Sequence, residues 1–318
     1  MTRALVITNP AAARTDARAV AAIRDTLLAG GWSVEVQATA KRGDARRFAR
    51  EGLERGVDVL VSYGGDGTAM QVAAGVVGTD VPLGVVPGGT GNLLAGNLRL
   101  PSRPAAAARV ILGAHRMRLD LGAVVRDDGE HYFAVCSGAG FDARLMADTP
   151  GAAKRRWKRG AYVARALAAL PGVRSAPHRV TVDGTVYERR AAMVLVANCG
   201  ELIPPFLRLR HDVAPDDGWL DVLALDADGA LQSVLAFWEL ARGSNGVRGE
   251  SGRLWFARGR SVRVETLAGG ARPVQLDGEV TGVTPFEVRL LPGALSVLVD
   301  PARVPRRSAP AALATSRD

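Results

Sequence analysis

Apolar positions in the first third of the chain form short runs, and helical spacing fills the gaps between them. Leu5 to Thr8 has the length and content of a buried strand and stops at Asn9-Pro10. From Thr15 to Ala29, Val20, Ile23 and Leu27 recur on one helical face until Gly30-Gly31 ends the pattern. Val34 to Thr39 reads as a second strand and Gly43 to Arg55 as a second helix, with Asp44 as the expected N-cap. The third run, Val57 to Tyr63, stops at Gly64-Gly65-Asp66-Gly67-Thr68 before an alanine-rich helical stretch. The fourth, Val81 to Val86, stops at Pro87-Gly88-Gly89-Thr90-Gly91-Asn92 and again leads into a helix-like stretch. Strand, turn and helix in this order predict a parallel, doubly wound α/β sheet with its site at the carboxyl ends of the strands. Asn9, Thr39 and both glycine turns fall at such ends.

A Pro-rich connection (Pro101, Pro104) and a helix near Ala105 to Leu112 follow, and from about Arg116 the period changes to two. Met117 to Val125, His131 to Ser137, Arg179 to Asp183, Ala191 to Ala197 and Leu220 to Leu225 read as strands. So do Ser261 to Glu265, Pro273 to Leu276, Phe286 to Leu290 and Leu295 to Val299. Asp183-Gly184 between alternating runs signals a hairpin. Many strands and few helices predict an antiparallel β-sandwich as a second domain. The tail from Val304, rich in Ala, Pro, Ser and Arg, reads as disordered.

The two glycine turns carry the candidate chemistry. Glycine lets backbone N–H groups approach an anion, and each following helix turns its positive end to the same spot. Two such turns on one sheet edge would cradle a polyphosphate. A tight turn between strand and helix also needs glycine for steric reasons alone. Asp66 favours the cradle with a cation in it, because a carboxylate repels phosphate unless a cation lies between them.

The string GGDGT resembles the nucleotide-binding signature of the diacylglycerol kinase and sphingosine kinase superfamily, which also includes NAD kinases and phosphofructokinases. The PxGTxN pattern at Pro87 to Asn92 is similar to the lipid-kinase branch. The resemblance implies ATP as co-substrate, Mg²⁺, and nucleotide contacts from Asn9, Pro10, Arg14, Thr39, Gly64, Gly65, Asp66, Gly67, Thr68, Gly89, Thr90 and Asn92. It implies the same two-domain plan, with the strand near Leu295 to Val299 returning to the first domain. The nucleotide-binding domain is then residues 1–119 completed by 294–303, the lipid-substrate sandwich 120–293, and the tail 304–318. Two departures stand out. Asn9-Pro10-Ala11-Ala12-Ala13-Arg14 replaces the family's NPxSGK, and Leu93 stands where the family commonly has Asp, which removes a carboxylate from the magnesium network.

Three acidic stretches lie further on. Pro215-Asp216-Asp217-Gly218-Trp219-Leu220-Asp221 reads equally as an Asp-Gly turn or as clustered oxygen ligands for a hard cation. By resemblance to the family's DDGxLD stretch, Asp217 would hold a structural magnesium with the Ala214 and Trp219 carbonyls beside it. Asp277-Gly278 reads as a hairpin turn that leaves Glu279 on an exposed strand. The resemblance instead makes Glu279 the general base for phosphoryl transfer to an alcohol, with Asp66 as the second candidate. Asp120 lies within an apolar alternation. The resemblance places it in a water-bridged network with Asp66 and magnesium.

The chain of 318 residues carries a formal net charge of +9, with aromatic content of only 5%. Such a balance favours an anionic partner, and the lack of interleaved aromatics and glycines speaks against nucleic acid. The basic run Lys154-Arg155-Arg156-Trp157-Lys158-Arg159 reads as a solvated helix face or as a contact for an anionic bilayer. Cys136 and Cys199 lack metal-ligand spacing and read as buried thiols. No run approaches the ~20 apolar residues of a membrane span, and no signal peptide pattern opens the chain. The expectation is a cytoplasmic lipid kinase, peripheral at the inner face of the membrane. Its expected partners are ATP and a lipid with a free hydroxyl, with a homodimer as a candidate assembly. The alternatives are an NAD kinase-like enzyme and a nucleotide- or lipid-binding regulator with little turnover.

Overall fold

The computed structural model describes residues 1–126, 129–140, 170–204, 207–210, 212–242 and 249–302. The basic run at 154–159 and the tail from 304 lie outside them. In the first part, β1 (Arg3–Thr8), α1 (Ala17–Ala29), β2 (Ser33–Ala38), α2 (Asp44–Glu54) and β3 (Val59–Gly64) alternate as the periodicity predicts. They are followed by α3 (Asp66–Val76), β4 (Leu83–Pro87), α4 (Leu93–Asn97) and α5 (Pro104–Leu112). The strands lie in the order β2-β1-β3-β4, all parallel. Ile23 and Leu27 of α1 with Ala107 and Ile111 of α5 cover Val6 and Val61 on one face. Ala49 of α2 and Met70 and Ala73 of α3 cover Leu5 and Leu60 on the other. This is the doubly wound plan.

Then come β5 (Arg116–Arg126), β6 (Gly129–Phe133), β7 (Cys136–Gly140), β8 (Ala176–Val182), β9 (Thr185–Ala191) and β10 (Met193–Ala197). The short pair β11 (Glu201–Ile203) and β12 (Leu207–Arg208) precedes β13 (Leu220–Leu225) and α6 (Gly229–Ala241). The chain closes with β14 (Gly249–Ser251), β15 (Leu254–Gly259), β16 (Ser261–Thr266), β17 (Pro273–Leu276), β18 (Glu279–Val283) and β19 (Phe286–Leu298). The second sheet runs β14-β15-β13-β10-β7-β17-β18 and is antiparallel. Its Val194, Val196, Val222 and Val274 pack against Val180, Val262, Val264 and Val288 of the first sheet, which makes the expected sandwich core.

Strand β19 ties the two parts together. Its Val297 pairs with Leu83 of β4 in parallel, its Phe286-to-Arg289 stretch pairs antiparallel with β16, and β5 pairs antiparallel with it from Val288 to Leu298. The C-terminal strand therefore does return to the first domain, and a single ten-stranded sheet spans both parts. The two terminal runs expected as separate strands are one strand of 13 residues, irregular between Leu291 and Leu295. Gly293 takes the bend at φ 56°, and its N–H donates to Asp120 Oδ1 at 2.7 Å.

Other expectations need correction. The run His131 to Ser137 is divided between β6 and β7, which belong to different sheets. The break at Ala134-Val135 leaves backbone N–H groups that the Asp277 carboxylate satisfies. Asp44 is not the N-cap of α2. Gly43 is, at φ 91°, and Asp44 Oδ2 instead accepts from the N–H groups of Ala40 and Lys41, each at 2.9 Å. Helix α6 does not stand out in the sequence, because apolar residues occupy two of its faces.

Candidate active site

The carboxyl ends of the parallel strands meet at one edge. Asn9, after β1, donates from its N–H to Tyr63 O at 3.0 Å and from Nδ2 to Thr68 Oγ1 at 3.0 Å. Thr39, after β2, donates its N–H to Thr8 O at 2.8 Å. The Asn9-to-Arg14 loop folds over the second glycine turn, with Arg14 N–H to Gly88 O at 2.9 Å and Tyr63 Oη–H to Arg14 O at 2.7 Å. Pro10 and the Arg14 side chain stay exposed, as does Thr90.

The two glycine turns touch backbone to backbone. A Cβ on Gly89 would lie 2.6 Å from Gly65 Cα, so glycine is required there by contact. Gly88 N–H donates to Gly64 O at 2.6 Å, which extends the β3–β4 pairing into the turns. Asn92, at φ 51°, locks the second turn with its side chain. Its Oδ1 accepts from Gly89 N–H and its Nδ2 donates to Gly89 O, both at 2.8 Å. The Asn92 amide is thus spent inside the turn and shapes the loop.

Asp66 opens α3 and is half-buried, with Oδ1 accepting from Leu94 N–H at 3.1 Å. Burial pushes its carboxyl above the usual range, and N–H groups of Leu93, Leu94 and Asn92 act against that rise. One carboxylate therefore sits between the start of α3 and the start of α4. Leu93 offers it a backbone N–H, and its side chain packs against the core.

Glu279 comes from the other sheet. Asp277 and Gly278, at φ 45° and 86°, form the tight turn between β17 and β18, so the hairpin reading is correct as far as it goes. The turn is not free at the surface, however. Asp277 accepts from the N–H groups of Ala134 at 2.8 Å and of Val135 and Cys136 at 2.9 Å. Burial raises its carboxyl to about 7, those three donors oppose the rise, and the charge of Asp66 adds to it. So anchored, the hairpin delivers the Glu279 carboxylate against Gly67 in the first turn of α3. Arg42, a residue the sequence reading missed, places Nη2 3.2 Å from Glu279 Oε2. Its signal was the Lys41-Arg42-Gly43 loop directly after Thr39.

The third acidic stretch builds a separate cluster. Asp120 is 3% exposed, and its two oxygens accept from Gly218 N–H and Gly293 N–H, each at 2.7 Å. It therefore seats the Asp217 turn and the bend of β19 together. Asp217 Oδ1 accepts from Trp219 N–H at 3.0 Å, and Ala214 N–H also points at this carboxylate. Asp217 Oδ2 is buried and has no hydrogen-bond donor; Arg258 Nη2 lies 3.6 Å away and 2.6 Å from Asp221 Oδ2. Burial raises the Asp217 carboxyl to about 6 despite Arg258. A buried carboxylate oxygen with an ion-pair neighbour but no hydrogen bond, beside the Ala214–Trp219 turn, fits a cation ligand. Among the described residues, no three His, Cys, Asp or Glu side chains gather as a metal cluster.

The diacylglycerol kinase catalytic domain matches residues 3–124, and the YegS C-terminal NAD kinase beta sandwich-like domain matches residues 135–299. A diacylglycerol kinase from Mycobacterium tuberculosis is 31% identical over 261 residues, 80% of this chain and 81% of that one. A diacylglycerol kinase from Bacillus subtilis is 28% identical over 292 residues, 90% of this chain and 93% of that one. The crystal structure of a diacylglycerol kinase from Bacillus anthracis superposes with a TM-score of 0.71 at 24% identity, over 94% of this chain and 97% of that one, which speaks for the fold. With both halves matched and the turns, the returning strand and the Glu279 hairpin in one place, the chain belongs to the diacylglycerol kinase and YegS-like lipid kinase family.

Proposed function

We propose that this kinase transfers the γ-phosphoryl group of ATP to the hydroxyl of a diacylglycerol-like lipid, with Mg²⁺. The observation that carries the reading is the Glu279 carboxylate at the N-terminus of α3, beside the turn that would hold the phosphates. Backbone N–H groups of the two glycine turns and the positive end of α3 bind the polyphosphate. Glu279 accepts the proton of the lipid hydroxyl as its oxygen attacks the γ-phosphorus. The bond from that phosphorus to the β-bridging oxygen breaks, and ADP leaves. Arg42 offsets the negative charge that Glu279 brings near the phosphates. Asp66 would hold Mg²⁺ at the phosphates and Asp217 a second, structural cation; Mg²⁺ supplies charge neutralisation on the polyphosphate. Asp120 acts by holding the Asp217 turn.

Among the described residues, no helix is long and apolar enough to cross a membrane. The reading is tested by incubating the protein with γ-labelled ATP and an extracted lipid mixture. Label in a lipid monophosphate is the expected result. Tight nucleotide binding with no labelled lipid would favour a regulator instead.

A further inference from the structure

Helix α6 is apolar on two faces, and the second sheet covers only one. Ala236 and Leu240 are buried, and Ser233 beside them is 8% exposed. Leu231, Val234, Leu235 and Trp238 follow the i, i+3, i+4, i+7 spacing on the opposite side, with Phe237 next to them. These five side chains are between 42% and 73% exposed. Scattered exposed apolar residues need no explanation, but a continuous stripe of this kind marks a contact surface.

The charges around the stripe say which partner it fits. Arg242, just past the last turn, is exposed with its guanidinium 5.1 Å from the Trp238 ring centroid. Arg174 and Arg190 are exposed near the other end. Two carboxylates near the helix, Asp228 and Glu239, are engaged with other groups. Asp228 accepts from Ser175 N–H at 2.9 Å and pairs with Arg190 at 2.8 Å, and Glu239 accepts from Arg253 N–H at 3.3 Å. A stripe of Leu, Val, Phe and Trp flanked by arginine, on a chain of net charge +9, complements an anionic bilayer. It exposes on the order of 500 Å² of apolar surface, less than the ~800 Å² per partner of a stable protein dimer.

We infer that α6 lies in the plane of an anionic membrane surface and seats the enzyme there. Leu231, Val234, Leu235, Phe237 and Trp238 enter the boundary between headgroups and acyl chains, and Arg242 meets the lipid phosphates. The inference rests on the lipid-kinase reading, since an enzyme whose acceptor is a lipid must meet it at the bilayer. The seat is also connected to the site. Leu240 belongs to one buried cluster with Cys199, Leu209 and Val213, and Glu201 of β11 exchanges hydrogen bonds of 2.9 and 3.0 Å with Asn97 of α4.

The test is co-sedimentation of the full chain with phosphatidylcholine vesicles, with and without phosphatidylglycerol. The parent should bind the phosphatidylglycerol vesicles. The double variant Leu235→Ser, Trp238→Ser should bind them at least about tenfold more weakly. It should keep parental turnover of a short-chain diacylglycerol dispersed in detergent. Arg242→Gln should lose about fivefold, on the anionic vesicles alone, with a shallower salt dependence. If circular dichroism shows the double variant unfolded, Trp238→Gln carries the same expectation at about threefold. Unchanged vesicle binding by a folded variant overturns the inference. So does a sedimenting dimer that the double variant converts to monomer without loss of vesicle binding, which would assign the face to a second copy. Vesicle binding without any turnover in detergent would sink the kinase reading and leave the membrane seat standing.

Discussion

The Glu279 carboxylate occupies the space that a side chain on Gly67 would need. The two residues come from different parts of the fold, one from the tip of the β17–β18 hairpin and the other from the first turn of helix α3. Their meeting brings a proton acceptor to the positive end of a helix that follows a phosphate-type glycine turn. The hairpin cannot swing away easily, because the adjacent Asp277 is held by three backbone N–H groups of the β6–β7 break.

Glu279→Gln keeps the shape of the side chain and removes its proton-accepting charge. We predict a fall in kcat of about 100- to 10,000-fold with nucleotide affinity close to the parental value. The lost ion pair to Arg42 joins two exposed side chains and should cost less than about 1 kcal/mol in stability. Steady-state kinetics, nucleotide titration and a urea melt on this one variant check all three. A kcat within a few-fold of the parent would move the base to Asp66.

Asp66→Asn should lower turnover at least about 100-fold while the protein remains folded and still binds nucleotide. Asparagine retains an oxygen for the Leu94 N–H, so the start of α4 keeps its partner. The check is kcat with Mg²⁺ in excess, alongside a thermal melt. Parental activity in a folded Asp66→Asn protein would take the first glycine turn out of the mechanism.

Asp217 gives a pH dependence with a defined sign. Its folded-state value of about 6 lies above its ordinary 3.8, so the protonated form is favoured by folding. That contribution is fully present below about pH 4 and is lost as pH rises through about 6, at most about 3 kcal/mol. In chelator, the urea midpoint should therefore fall between pH 4 and 7. Mg²⁺ should restore it at pH 7 and do little at pH 5, where a proton competes for the same oxygen. Asp217→Asn should flatten the chelator profile and abolish the Mg²⁺ effect. A Mg²⁺ effect that survives this substitution would rule out Asp217 as the ligand.

Periodicity and turn chemistry by themselves determined the parallel βα order, the glycine turns at strand ends and the hairpins at Asp183-Gly184 and Asp277-Gly278. These are local properties: side-chain spacing selects helix or strand, and only certain residues accept positive φ. What tertiary structure alone decided is which local pieces meet. The single strand through Pro292-Gly293 exists because Asp120, far away in the chain, holds the Gly293 N–H. The break between β6 and β7 exists because Asp277 can satisfy its freed N–H groups. Arg42 was unremarkable as a basic loop residue until folding set it against Glu279. Helix α6 carries apolar residues on two faces, and only the packing of Ala236 and Leu240 decides which of them is left for solvent or a bilayer. Asp217 looks like any Asp-Gly turn residue in one dimension, and it is burial beside Arg258 and Asp221 that gives its carboxyl an unusual charge balance.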